Sequence, residues 1–105
     1  MAAIITFPKS IKAGETVEIK TLFSHHMETG YRREMSGVFI PRDIIKHFQI
    51  KFENKLVFEA ILSPAISANP YFSFMFLALK SGEMTFIWRD EKGVESVETR
   101  FISVV

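Results

Sequence analysis

The residues best suited to chemistry cluster in the run Ser24-His25-His26-Met27-Glu28-Thr29-Gly30-Tyr31-Arg32-Arg33-Glu34, with a third histidine, His47, further on. Histidine nitrogen and methionine sulfur together are ligands for copper and other soft metals. The spacing argues against a metal. Adjacent side chains on a strand point to opposite faces, so His25 and His26 cannot readily grip one ion. His47 belongs to a different segment, and the chain has no cysteine to complete a ligand set. A small metal-binding or electron-transfer module would have to use His25, Met27 and His47. The simpler reading is the end of a strand followed by a polar turn at Thr29-Gly30.

Other constellations carry less. The acidic residues flank turns or alternate with apolar ones, as on a solvated strand face, and a glycosidase-type pair cannot be read from such spacing. Ser63, Ser67 and Ser73 lack a nucleophile motif, and the five glycines stand singly, so no phosphate-cradling loop exists. Lys9, Lys12, Arg32, Arg33, Arg42, Lys46 and Lys51 would make a modest basic patch if residues 24–47 folded over a sheet. Interleaved with Glu28, Glu34 and Asp43, they read more simply as solvated charge. A formal net charge of +1 gives no electrostatic case for nucleic acid or an anionic membrane. No catalytic residue, cofactor or metal is assigned, and the chain does not read as an enzyme.

What must position these residues is a set of short strands. Turn chemistry recurs at 12–15, 28–30, 35–37, 53–55, 63–70, 80–83 and 90–93. Between the turns, Val17 and Ile19 share one face, as do Phe48, Ile50 and Phe52. The same holds for Leu56, Phe58, Ala60 and Leu62, and for Met84, Phe86 and Trp88. Residues 97–105 close the chain. This pattern predicts an all-β, antiparallel sandwich or small barrel occupying residues 1–105 as one domain. Pro41 to Ile45 fits a single helical turn. At 105 residues with 48% apolar content, the chain can bury a substantial core. No run approaches membrane-spanning length, and the N-terminus lacks a signal-peptide core, which taken alone reads as cytoplasmic.

The segment Tyr71 to Leu79 breaks the alternation. One face carries Phe72, Phe74, Phe76 and Ala78, assigned to the core. The other carries Tyr71, Met75, Leu77 and Leu79, with only Ser73 polar. A sandwich strand faces one core, so its second face needs a cover, either the 24–47 loop or a partner protein. The candidate interface is Tyr71, Met75, Leu77 and Leu79, with Asn69 and Pro70 beside them.

Longer motifs then enter. Pro64-Ala65-Ile66-Ser67-Ala68-Asn69-Pro70-Tyr71, the Ala13-Gly14-Glu15 turn, His25 to Gly30 and Ile40-Pro41-Arg42 together resemble the SoxZ family across nearly the whole chain, with Gly82 and Trp88 also in place. The resemblance implies an immunoglobulin-like β-sandwich without catalytic residues. It also implies a heterodimer with SoxY, the sulfur-carrier subunit of thiosulfate oxidation, whose arm cysteine bears covalent sulfur intermediates. Transient contact with other sulfur-oxidation enzymes would follow through that complex; the two-sided strand itself predicts that the chain, when alone, tends to dimerise or oligomerise through the same surface. The family further implies a periplasmic location, reached alongside SoxY without a signal peptide of its own, which replaces the cytoplasmic reading. His26 and Ser63 depart from the family pattern, where proline and histidine are expected.

Overall fold

The computed structural model describes residues 3–105 except 26, 29, 32, 40, 41 and 64–68. The described residues form seven strands, most of them where apolar residues alternate with polar ones: β1 (Ala3–Thr6), β2 (Glu15–Phe23), β3 (Ile45–Phe52), β4 (Lys55–Ile61), β5 (Tyr71–Ala78), β6 (Gly82–Asp90) and β7 (Glu95–Ile102). They build two antiparallel sheets, ordered β1-β2-β5 and β4-β3-β6-β7. The result is an immunoglobulin-like sandwich rather than a closed barrel. Each sheet therefore keeps two edges.

The core sits where the inner faces meet. β2 contributes Val17, Ile19 and Phe23, β3 contributes Phe48 and Ile50, and β6 contributes Met84, Phe86 and Trp88. Trp88 is sandwiched between Phe23, at 4.6 Å and 14°, and Phe48, at 4.9 Å and 15°. Such stacks add about 0.5–1.5 kcal/mol per pair beyond the area they bury. Thr21 is the one polar β2 side chain in the core, and its hydroxyl donates to the Phe72 carbonyl at 3.2 Å.

β3 and β4 are joined by a two-residue turn in which Glu53 and Asn54 both have positive φ, 48° and 66°. That is the type I′ geometry whose twist matches a hairpin. The pairing register slips between Ile50 and Lys51, so Ile50 faces Phe58 but Lys51 faces Leu56. This bulge corrects the expected face for Leu56: its partner now points outward, and Leu56 is 51% exposed while Phe58, Ala60 and Leu62 point inward. The bulge's extra residue is invisible to a period-2 reading.

Residues 28–43 depart most from expectation. The described ones form neither a cover for the outer face of the sheet nor, within 41–45, a helical turn. Glu28 and Asp43 form an antiparallel bridge, with amide-to-carbonyl bonds of 2.7 and 2.8 Å, and Arg33 bridges Phe39 further out. Gly37, at φ 88°, closes the tip, where its amide donates to the Glu34 carbonyl. Gly30 lies where a Cβ would approach the Arg42 Cβ at 3.1 Å, at φ 88°, so the arm needs glycine there. The molecule is elongated, 58 × 20 × 19 Å, with a radius of gyration of 16.2 Å. A compact chain of this length would have about 13 Å.

Candidate protein-interaction surface

The outer face of the three-stranded sheet stays uncovered among the described residues. Along β5, Tyr71 is 55% exposed, Met75 62%, Leu77 52%, and Leu79, just beyond the strand, 67%. Cross-strand register adds what the sequence reading missed: Ile4 and Leu22 lie in one row with Tyr71. Ile4, Leu22, Ser24 and Asn69 line a shallow depression at that end. Leu77 and Leu79 line another, with Phe52, Phe76 and Lys80, where the face turns onto the flank of the sandwich. Between the two apolar ends runs a polar strip. The Ser73 hydroxyl donates to Glu18 at 2.6 Å, and Lys20 lies 3.5 Å from the same carboxylate. The signal for Ile4 and Leu22 was present in the sequence, since Leu22 sits between two core residues, but only register shows that it meets Tyr71.

Asn69 and Pro70 behave differently from the four strand residues. Asn69 is exposed yet clamped: its side-chain oxygen accepts the His25 amide at 2.9 Å, and its own amide donates to the His25 carbonyl at 2.5 Å. It adopts positive φ, 53°, which asparagine tolerates better than most residues. Pro70 is a correction. It is buried, and its carbonyl accepts the Phe23 amide at 3.1 Å, so its role is to seat the start of β5 rather than to offer side-chain area.

The residues considered for a metal are not brought together. His25 is buried with Phe23 stacked beside it, and its Nδ1 accepts the Met27 amide at 2.9 Å. Met27 sulfur accepts the Ile45 amide at 3.2 Å, which anchors the loop against β3. His47 lies on the outer face of the other sheet, its Nε2 2.9 Å from Glu59. His26 lies outside the described residues. Ser63 is exposed, at the end of the β4 connection.

The basic patch also fails to assemble. Arg42 forms a fork onto Glu91, Arg89 pairs with Glu95, and the Arg33 guanidinium sits 4.4 Å over the Phe39 ring. In the cleft lined by Lys46, His47, Ile61, Arg89 and Glu91, Arg89 is paired with Glu95 and Glu91 with Arg42. Arg32 lies outside the described residues.

Three exposed carboxylates in these pairs are held below their ordinary value of 4.5. The Ser73 hydroxyl and then Lys20 lower Glu18, the Gln49 amide and then His47 lower Glu59, and Arg42 lowers Glu91. A depressed folded-state pKa means that the unfolded chain binds protons more readily. The resulting stability is complete above pH 4.5 and is lost as pH falls through the folded-state values. The melting temperature should thus be level from neutral pH to about 5 and decline below it, modestly because the groups are solvated. Thermal melts between pH 3 and 7 check this. A melting temperature that rises on acidification below 4.5 would contradict the pairing described.

Taken together, the two sheets and their uncovered apolar face define an immunoglobulin-like sandwich carrying no assembled catalytic centre among its described residues. The family model for the sulphur oxidation protein SoxZ matches residues 5–100. This chain belongs to the SoxZ family, and its role lies in the Sox system of sulfur oxidation. Among solved structures it is similar to a superoxide reductase (neelaredoxin) from Ignicoccus hospitalis, at 17% identity and TM-score 0.74, covering all of this chain and 81% of the other. A putative superoxide reductase from Thermotoga maritima matches at 14% identity and TM-score 0.75, over 98% and 85% of the two chains. The sulfur carrier protein SoxY from Chlorobium limicola f. thiosulfatophilum matches at 15% identity and TM-score 0.70, over 100% and 80%. At such identities these likenesses show the fold alone. No curated protein matches in sequence.

Proposed function

We propose that this chain is the cysteine-free partner subunit of a SoxY-type sulfur carrier, stabilising and presenting the subunit whose arm cysteine holds covalent sulfur intermediates. The observation that carries the reading is the uncovered apolar strand β5 in a chain of the SoxZ family. A reactive cysteine on a mobile arm needs a rigid base, and a subunit without thiols cannot take up the sulfur by exchange. Pairing over β5 would meet both needs. The reading includes a periplasmic location, shared with the carrier and checked by cell fractionation.

Co-expressed with its SoxY, the chain should elute as a heteromeric complex that survives gel filtration, because obligate-type interfaces bury on the order of 2,000 Å² or more. Expressed alone, it should self-associate through the same surface. A well-behaved monomer at high concentration, indifferent to SoxY, would overturn the reading.

A further inference from the structure

A sandwich with two open sheets has four edges, and three of them are blunted. β1 spans only Ala3–Thr6. β4 carries the bulge opposite Ile50 and Lys51. β7 turns charge inward: Ser96, Glu98 and Arg100 pair with Trp88, Phe86 and Met84, so they share the core side, where Arg100 lies 3.3 Å from Glu98. Its far end is also covered, since the Val105 amide donates to the Ile11 carbonyl at 2.8 Å and Ala13 donates to Val105. Short strands, bulges and inward charges are the usual protection against unwanted strand pairing.

β5 has none of these. It is eight residues long and contains no charge, no proline and no register slip against β2. The carbonyls of Pro70, Phe72 and Ala78 all point to the β2 side, where they accept from Phe23, Thr21 and Gly14. Antiparallel residues direct both backbone groups the same way and alternate along the strand. The amides and carbonyls of Tyr71, Ser73, Met75 and Leu77 therefore point off the sheet edge, and among the described residues nothing bonds them.

The flank beneath that edge says what would fit. Phe58, Phe72 and Phe74 face the core but are only partly buried, with Phe58 5.5 Å from Phe74 and 6.0 Å from Phe72. A strand added beside β5 would lay its inward side chains over these rings, and its outward ones would continue the Tyr71, Met75 and Leu77 face. Such a strand must be apolar on both faces and uncharged, the pattern of a strand buried on both sides.

We propose that the carrier partner docks by adding an extended, two-sided apolar strand to the free edge of β5, making one continuous sheet across the complex. This rests on the reading that the chain pairs with a SoxY-type carrier. The solved SoxY shares the sandwich fold, and open sheets of that kind end in edge strands. Backbone bonds supply affinity in this mode, and alternate side chains supply selectivity.

Amide exchange on the wild-type chain, free and co-purified with SoxY, tests the geometry. Tyr71, Ser73, Met75 and Leu77 should exchange freely alone and gain about 100-fold protection in the complex, while Phe72, Phe74 and Phe76 are protected in both. Met75→Pro removes an outward amide without touching the β2 ladder, a position where edge strands accept proline. It should weaken SoxY binding about 100-fold, whereas Met75→Ala, which keeps the amide, should weaken it less than about tenfold. A complex that forms while the four amides still exchange freely overturns strand addition and leaves the partnership standing. Failure of the wild-type chain to bind SoxY overturns both. Edge protection that arises only from self-association assigns the edge to a second copy and overturns the proposal.

Discussion

Trp88→Ala is expected to lower the melting temperature by roughly 20 °C, enough to leave much of the chain unfolded at physiological temperature. Trp88 is 1% exposed and forms the middle layer of a three-ring stack that ties β2 to β3 through β6. Truncating such a residue costs about 3–5 kcal/mol, of the same order as the whole stability of a small domain. The loss should exceed that of any single outward residue, because both neighbouring rings lose a partner and the two sheets lose a shared contact. Trp88→Phe keeps one ring in the stack and should recover much of the deficit. Calorimetry on the three proteins decides the matter, and a shift under about 5 °C for the alanine variant would show that the stack is not the centre of the core.

The second large effect concerns association. Leu77→Glu should melt cooperatively within a few degrees of wild type yet lose its SoxY partner by about 100-fold or more. Leu77 points to solvent in the isolated chain, where a carboxylate is readily hydrated, but burying it in an interface would leave an unpaired charge. The matching core test is Ile19→Glu. Ile19 is fully buried directly across from Phe74, and a charge there should prevent folding. Phe74 itself, read from sequence as core, serves less well because the open flank leaves it partly solvated. Circular dichroism and a pull-down separate the outcomes. A Leu77→Glu variant that binds normally would remove this face from the interface.

Local patterns made the class of fold legible. Strict alternation in residues 16–20 and 84–89 assigns Val17, Ile19, Met84, Phe86 and Trp88 to one side, and the structure buries all five. The two-sided character of 71–79 was equally visible, together with which face holds the phenylalanines. What alternation cannot show is pairing between distant segments. The edge position of β5, the row joining Ile4 and Leu22 to Tyr71, and the bulge that turns Leu56 outward all depend on register. The 28–43 segment differs from its local pattern for a related reason: the Glu28–Asp43 pairing that makes it an arm spans 15 residues of sequence. Its exposed Tyr31, Met35, Val38 and Phe39 read as loop residues, because a period of two breaks down over so short a ladder. Nor does alternation show that Pro70, next to the exposed face in sequence, is buried with its carbonyl accepting the Phe23 amide.

The blunting of three edges sets the valence of the molecule. With several open edges, each chain could join two neighbours, and growth would run on into a filament. With β5 the one unguarded edge among the described residues, this chain offers a single edge for strand pairing. The inward Glu98–Arg100 pair and the Val105-to-Ile11 bond over the end of β7 shield that edge from pairing. Their place in the sandwich limits where this protein can be joined through a strand.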